Sequence, residues 1–261
     1  MTTMHEALAL LNRHASVRHF TRQEISEDDE MTILMTAQRA PTSSNLHAYA
    51  VIGVRDQEKK DRLAELCGGQ DHIAACSLFL VFCGDMYRLK RLAEQRGYNF
   101  NGDTVESLLI ATVDASLVAD RALIAAQALG LGGVMVGGIR NHPEEVCSLL
   151  QIPEYAYPVM GMSLGYPASE PKIKPRLPIE AVYFRESYNA EQMDKPIADY
   201  DETIAALGYL KGREVEPERY PNFTGQYSWS EHSARRMATD NPGTVRLHLK
   251  QFLQQRGLMK R

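Results

Sequence analysis

Lys174 and Arg176 flank Pro175, and Ser16 and Arg18 alternate across Val17. The proline ring limits the freedom of its neighbours, so the two cations are pre-positioned. Together with Ser16 they could clamp a dianionic phosphate through charge-assisted hydrogen bonds. Alternate residues of an extended segment point the same way, so Ser16 and Arg18 can reach one ligand. Three further polar patches stand out: PTSSN at 41–45, GGQ at 68–70 and VGG at 136–138. Taken singly they read as a helix exit, a turn and a strand end.

Other chemistries lack their residues. GGVMVGG has neither the GxGxxG spacing nor an acid some twenty residues on, so it does not read as a dinucleotide turn. No Walker sequence, GxSxG or HExxH is present. Cys67, Cys76, Cys83 and Cys147 form no CxxC pair and no zinc-like spacing with histidine, so buried free thiols and no metal are expected. The formal charge of -4, with scattered basic residues, gives no support to a nucleic-acid partner.

The elements that must position these groups follow from periodicity. A short helix spans 4–12, and Ser26 caps a second with Met31, Leu34, Met35 and Ala37 as its inner stripe, ended by Pro41. Strands are expected at 47–56, 77–85, 157–167 and, set apart, 180–188, with a short one inside 130–140 between a helix stop at Gly130 and a glycine pair. Helices are expected at 57–66, after His142, near 198–210 and over 231–256. The apolar run 107–130 is interrupted by Asp114, Asp120 and Arg121, so it reads as a central helix surrounded by protein and not as a membrane span. The early Glu6 and the lack of a cleavage signature argue against a secretory signal and for a cytoplasmic location. A chain of 261 residues with 44% apolar content supports a single α+β domain with a C-terminal extension too polar for a core of its own.

The order and spacing of HASVRHF, APTSSN, GGQDHIA, ALIAAQALGLGGVMVGGIRN and LGYP followed by KPRLP resemble the nitroreductase superfamily, in its oxygen-insensitive NADPH nitroreductase and flavin reductase branch. The resemblance implies a mostly antiparallel central sheet flanked by helices, in a domain-exchanged homodimer. Residues 1–190 would bind FMN, and 191–261 would pack on the dimer and line the nicotinamide site. His14, Ser16, Lys174 and Arg176 match the grip on the FMN phosphate, and Arg18 the cation facing the N1 and O2 edge of the flavin. A fixed cation there stabilises the charge of the reduced ring. Thr42, Ser43 and Ser44 match the hydroxyl-rich stretch near the flavin, Gln70 the ring-edge amide, and Val136, Gly137 and Gly138 the backbone donors. Ala15 stands where a second basic residue is expected, and Asn45 and His47 depart from a serine-rich segment.

The implied activity is reduction of nitroaromatics, quinones or free flavin by NADPH or NADH, in a ping-pong cycle. The flavin N5 would carry the hydride, with no catalytic side chain required. Lys211, Arg213 and Arg219 are candidates for reading a nicotinamide 2'-phosphate, although Glu214, Glu216 and Glu218 interleave with them. The alternative is a flavin-binding or delivery protein without multiple turnover.

Overall fold

The run Leu78–Asp85 (β2) is buried at every position, which an antiparallel strand shows only when both faces of its sheet are covered. The structure, a computed structural model, describes residues 5–212, 225, 227–238 and 245–261. The chain divides into two compact units, Met1–Ile173 with Arg246–Arg261, and Lys174–Val245.

The first unit is built on four antiparallel strands in the order β1-β2-β4-β3: Tyr49–Val54 (β1), β2, Gly132–Val136 (β3) and Ala156–Gly165 (β4). Its helices are Glu6–Asn12 (α1), Glu27–Ala37 (α2), Gln57–Leu66 (α3), Asp71–Ala75 (α4), Tyr87–Gln95 (α5), Val105–Ala128 (α6), Pro143–Leu149 (α7) and, returning from the C-terminal end, His248–Gln255 (α10). The long α6 packs against the sheet and α2 through small residues, Ala111, Ala115, Ala119, Ala122 and Ala126, all fully buried. Small side chains let the helix approach the strands closely, and Phe79, Phe82, Met162 and Leu164 fill the space. Ser26 caps α2 as expected, its Oγ accepting from the Asp29 amide at 3.0 Å.

Several sequence expectations need correction here. Of the expected α2 stripe, Ala37 is buried and Leu34 packs on the core, but Met31 and Met35 are 54% and 64% exposed and Ile33 is buried instead. At 100° per residue, positions 31 and 35 lie well away from 33 and 37. Helix α6 is not enclosed all round, because Val105, Leu109, Val113 and Leu117 form an exposed apolar row at four-residue intervals. The polar stretch before α6 contains α5, which buries no residue fully and packs on the core through Leu89.

The second unit holds Asp194–Ala206 (α8) and Trp229–Ala238 (α9). Contrary to the expectation for the extension, it has a small core of Tyr200, Ile204 and Leu210, covered by Leu177, Tyr227 and Trp229. Aromatic side chains bring enough area to do this in an otherwise polar segment, and Tyr200 meets Trp229 edge-on at 5.3 Å. Asp201 ties the two helices by accepting from the Ser230 amide at 2.9 Å. The strand expected at 180–188 does not form. A 3-10 turn at Ile179–Ala181 opens the segment, Glu186 adopts φ 63°, and the Gln192 amide takes up the carbonyls of Glu180 and Tyr183. Helix expected over 231–256 is present at both ends, as α9 and α10, and 239–244 lie outside the described residues.

Candidate functional site

Ser16 and Arg18 are exposed while Ala15 and Val17 are 7% and 6% exposed, so residues 15–18 alternate as an extended segment must. The segment runs beside β3, with Ser16 bridged to Gly133 and the Val17 amide donating to the Gly133 carbonyl at 3.0 Å. His14 lies 3.1 Å from the Gln127 amide nitrogen at the end of α6. This contact holds the His14 ring at the start of the segment. On the buried side of the segment, Arg13, Ala15, Val17, Gln127 and Gly132 line a cleft of about 400 Å³.

Gly68 and Gly69 make the expected turn, with φ of 89° and 73°, values open to glycine, and Gln70 then opens α4. The Gln70 amide donates to the Cys67 carbonyl at 2.8 Å, and its oxygen faces Nε2 of His72 at 3.1 Å. The other ring nitrogen of His72 meets the Ser163 hydroxyl of β4 at 3.0 Å. Gly138 lies against this group so closely that a Cβ would stand 2.4 Å from the Cys67 oxygen and 2.5 Å from the Gln70 nitrogen. Burial, followed by the nearby positive charge of Arg18, lowers the pKa of His72. The structure therefore brings together Gln70, His72, Ser163 and Gly138 from separate stretches of sequence.

The 42–47 loop is held differently. Ser44, Asn45 and His47 have φ of 48°, 57° and 51°, the left-handed region that side chains other than glycine rarely enter. Asparagine and histidine tolerate it best, which gives a physical reason for Asn45 and His47. Asp114, fully buried in α6, accepts from the Ser43 amide at 2.9 Å and the Ala48 amide at 3.0 Å. Arg88 donates to the carbonyls of His47 and Tyr49 at 2.8 and 3.1 Å. Thr42 is half-buried, and Ser43 and Ser44 are exposed.

In the second unit, Lys174 and Arg176 are both exposed. The Tyr200 hydroxyl donates to the Pro175 carbonyl at 3.1 Å, anchoring the segment to α8, and Lys174 meets the Tyr209 hydroxyl at 2.6 Å. Lys211 is exposed, whereas Arg213 and Arg219 lie outside the described residues. His72, Ser163, Asp114 and Arg88 carry no functional assignment from sequence. The available signals were a carboxylate inside an apolar helix and a histidine two residues after Gln70.

Residues 11–166 match the model of the nitroreductase family, and 174–261 that of the family's C-terminal domain. The chain belongs to the nitroreductase family. An FMN reductase (NADPH) of Bacillus subtilis is 38% identical over 77% of this chain and 83% of its own. An oxygen-insensitive NADPH nitroreductase of Salmonella typhimurium is 34% identical over 91% and 93%. Among solved structures, an NADPH:FMN oxidoreductase of Vibrio harveyi, complexed with NAD+, superposes with a TM-score of 0.85 at 32% identity, over 98% of this chain and all of that one. The mixed helical and antiparallel architecture described above is thus the nitroreductase fold.

Proposed function

We propose that this chain is an FMN-dependent oxidoreductase that draws on NADPH or NADH to reduce small flat acceptors: nitroaromatics, quinones or free flavin. The observation that carries this reading is the fixed Gln70 amide packed on the Gly138 backbone within the family fold. When bound, FMN supplies the transfer of an electron pair from nicotinamide to acceptor. The residues fit such a group: an exposed cation at Arg18 for an anionic ring edge, and an amide at Gln70 held in one orientation by Cys67.

The phosphate is assigned to His14, the Ser16 hydroxyl, Lys174 and Arg176. Arg18 faces the pyrimidine edge of the ring, Gln70 the ring edge, and Val136, Gly137 and Gly138 offer main-chain groups. Thr42, Ser43 and Ser44 supply hydroxyls near the ring. Residues 1–190 form the FMN-binding part and 191–261 line the nicotinamide site, where Lys211, with Arg213 and Arg219, reads a 2'-phosphate. The exposed row Val105, Leu109, Val113 and Leu117 supports a homodimer, with the 180–188 segment as the exchanged arm. Four buried free thiols support a reducing, cytoplasmic setting.

Steady-state NADPH oxidation with an added quinone tests the reading. Many turnovers per FMN, with parallel double-reciprocal lines, are expected; one turnover per FMN would instead identify a flavin carrier. Lys174→Ala with Arg176→Ala should weaken FMN binding about a hundredfold to ten-thousandfold, since hydrogen bonds to charged groups contribute about 1.5 to 3 kcal/mol each. Light scattering should give a dimer.

A further inference from the structure

We propose that His72 is a positioning residue, the middle of a one-way relay from Ser163 to Gln70 that fixes which face of the Gln70 amide the flavin meets. This rests on the assignment of Gln70 to the ring edge. The direction of the relay follows from the one member that cannot change role. The Cys67 carbonyl only accepts, so the group 2.8 Å from it must be the Gln70 nitrogen. The Gln70 oxygen is then the atom 3.1 Å from Nε2 of His72, and Nε2 must carry a proton. Nδ1 of the neutral ring is left as an acceptor, and Ser163, 3.0 Å away, donates to it.

Ser163 has little freedom to do otherwise. It is fully buried in β4 between β2 and β3, opposite Phe79 and Val134, and the Cys76 thiol beside it is a weaker acceptor than an imidazole nitrogen. Turning the Gln70 amide over would set two oxygens against each other at Cys67. Its second N–H, not the one given to Cys67, is therefore the one left to donate to a ligand.

Two measurements on the FMN-loaded protein test this. Nitrogen-15 spectra of labelled histidine, with His72 assigned by the shift that Ser163→Ala induces, should show a neutral ring protonated at Nε2. Protonation at Nδ1 would overturn the relay without any variant of His72 having to fold. Then Ser163→Ala and His72→Ala should each weaken FMN binding about threefold to tenfold and make the flavin midpoint potential more negative. Neither should add to the effect of Gln70→Ala, whereas additive losses would show that His72 acts by some other route. If Gln70→Ala itself changes neither affinity nor potential, the ring-edge assignment fails, while the nitrogen spectra still decide the relay.

Discussion

Gln70 and the 42–47 loop both present polar groups at the surface of the first unit, yet they are secured by opposite means. Around Gln70 the backbone is relaxed, because glycines take the positive φ angles, and side chains of α4 and β4 satisfy one another with the Cys67 carbonyl. In the loop, non-glycine residues take the positive φ angles, and the strain is held by a buried carboxylate and an exposed-side guanidinium bonded to main chain. A relaxed segment can be disturbed only by altering its neighbours' shapes. A strained one depends on its anchor, since strain persists only where the surroundings over-determine it.

The anchor is the place to break that contrast most forcefully. Asp114→Ala removes two hydrogen bonds to an ionised group and should cost about 3 to 6 kcal/mol of unfolding free energy in chemical denaturation. It should also shift the amide signals of Ser43 and Ala48 before those of Gln70. On the other side, Gly138→Ala forces a Cβ against the Cys67 carbonyl and the Gln70 amide, and about 1 to 3 kcal/mol of overpacking is expected, with weaker FMN binding. Equal tolerance of alanine at both places would erase the distinction.

Alkaline pH should act on the Gln70 side before the loop side, where burial raises the Tyr49 phenol from its ordinary value of 10.0. Burial pushes the Cys67 thiol from its ordinary value of 9.0 up to about 12. The native value lies above the unfolded one, so this contribution is whole below pH 9 and is lost as pH rises towards 12. By pH 10 the loss from this group approaches about 1.4 kcal/mol, and Cys67→Ala should make that part of the denaturation profile shallower, the remaining slope coming from the buried thiols of Cys76, Cys83 and Cys147. The smallest effect belongs to the loop: Ser44→Gly relieves a left-handed φ at the expense of chain entropy, a net gain of under about 1 kcal/mol in thermal unfolding.

The same contrast explains what could be seen in the sequence. The alternation of residues 15–18, the glycine turn before Gln70 and the bounds of α3 are local patterns, and each is present where its pattern indicated. Asp114 shows only as a charge interrupting an apolar helix, because its partners Ser43 and Ala48 lie 71 and 66 residues away. His72 and Ser163 are 91 residues apart, so their pairing needs the antiparallel register to be known. Of the expected α2 stripe Ala37 is buried and Leu34 packs on the core, but methionine suggests burial at Met31 and Met35, whereas Ile33 is the residue that faces inward. The 180–188 segment has the composition of a strand, but local turns satisfy its carbonyls instead.

Anaerobic titration of the FMN-loaded protein with NADPH, followed in the visible flavin absorption, is the most direct test of the account. Bound FMN at one per chain should bleach completely with one equivalent of NADPH and recover when a quinone is added. FMN that binds but stays oxidised in excess NADPH and NADH would contradict it.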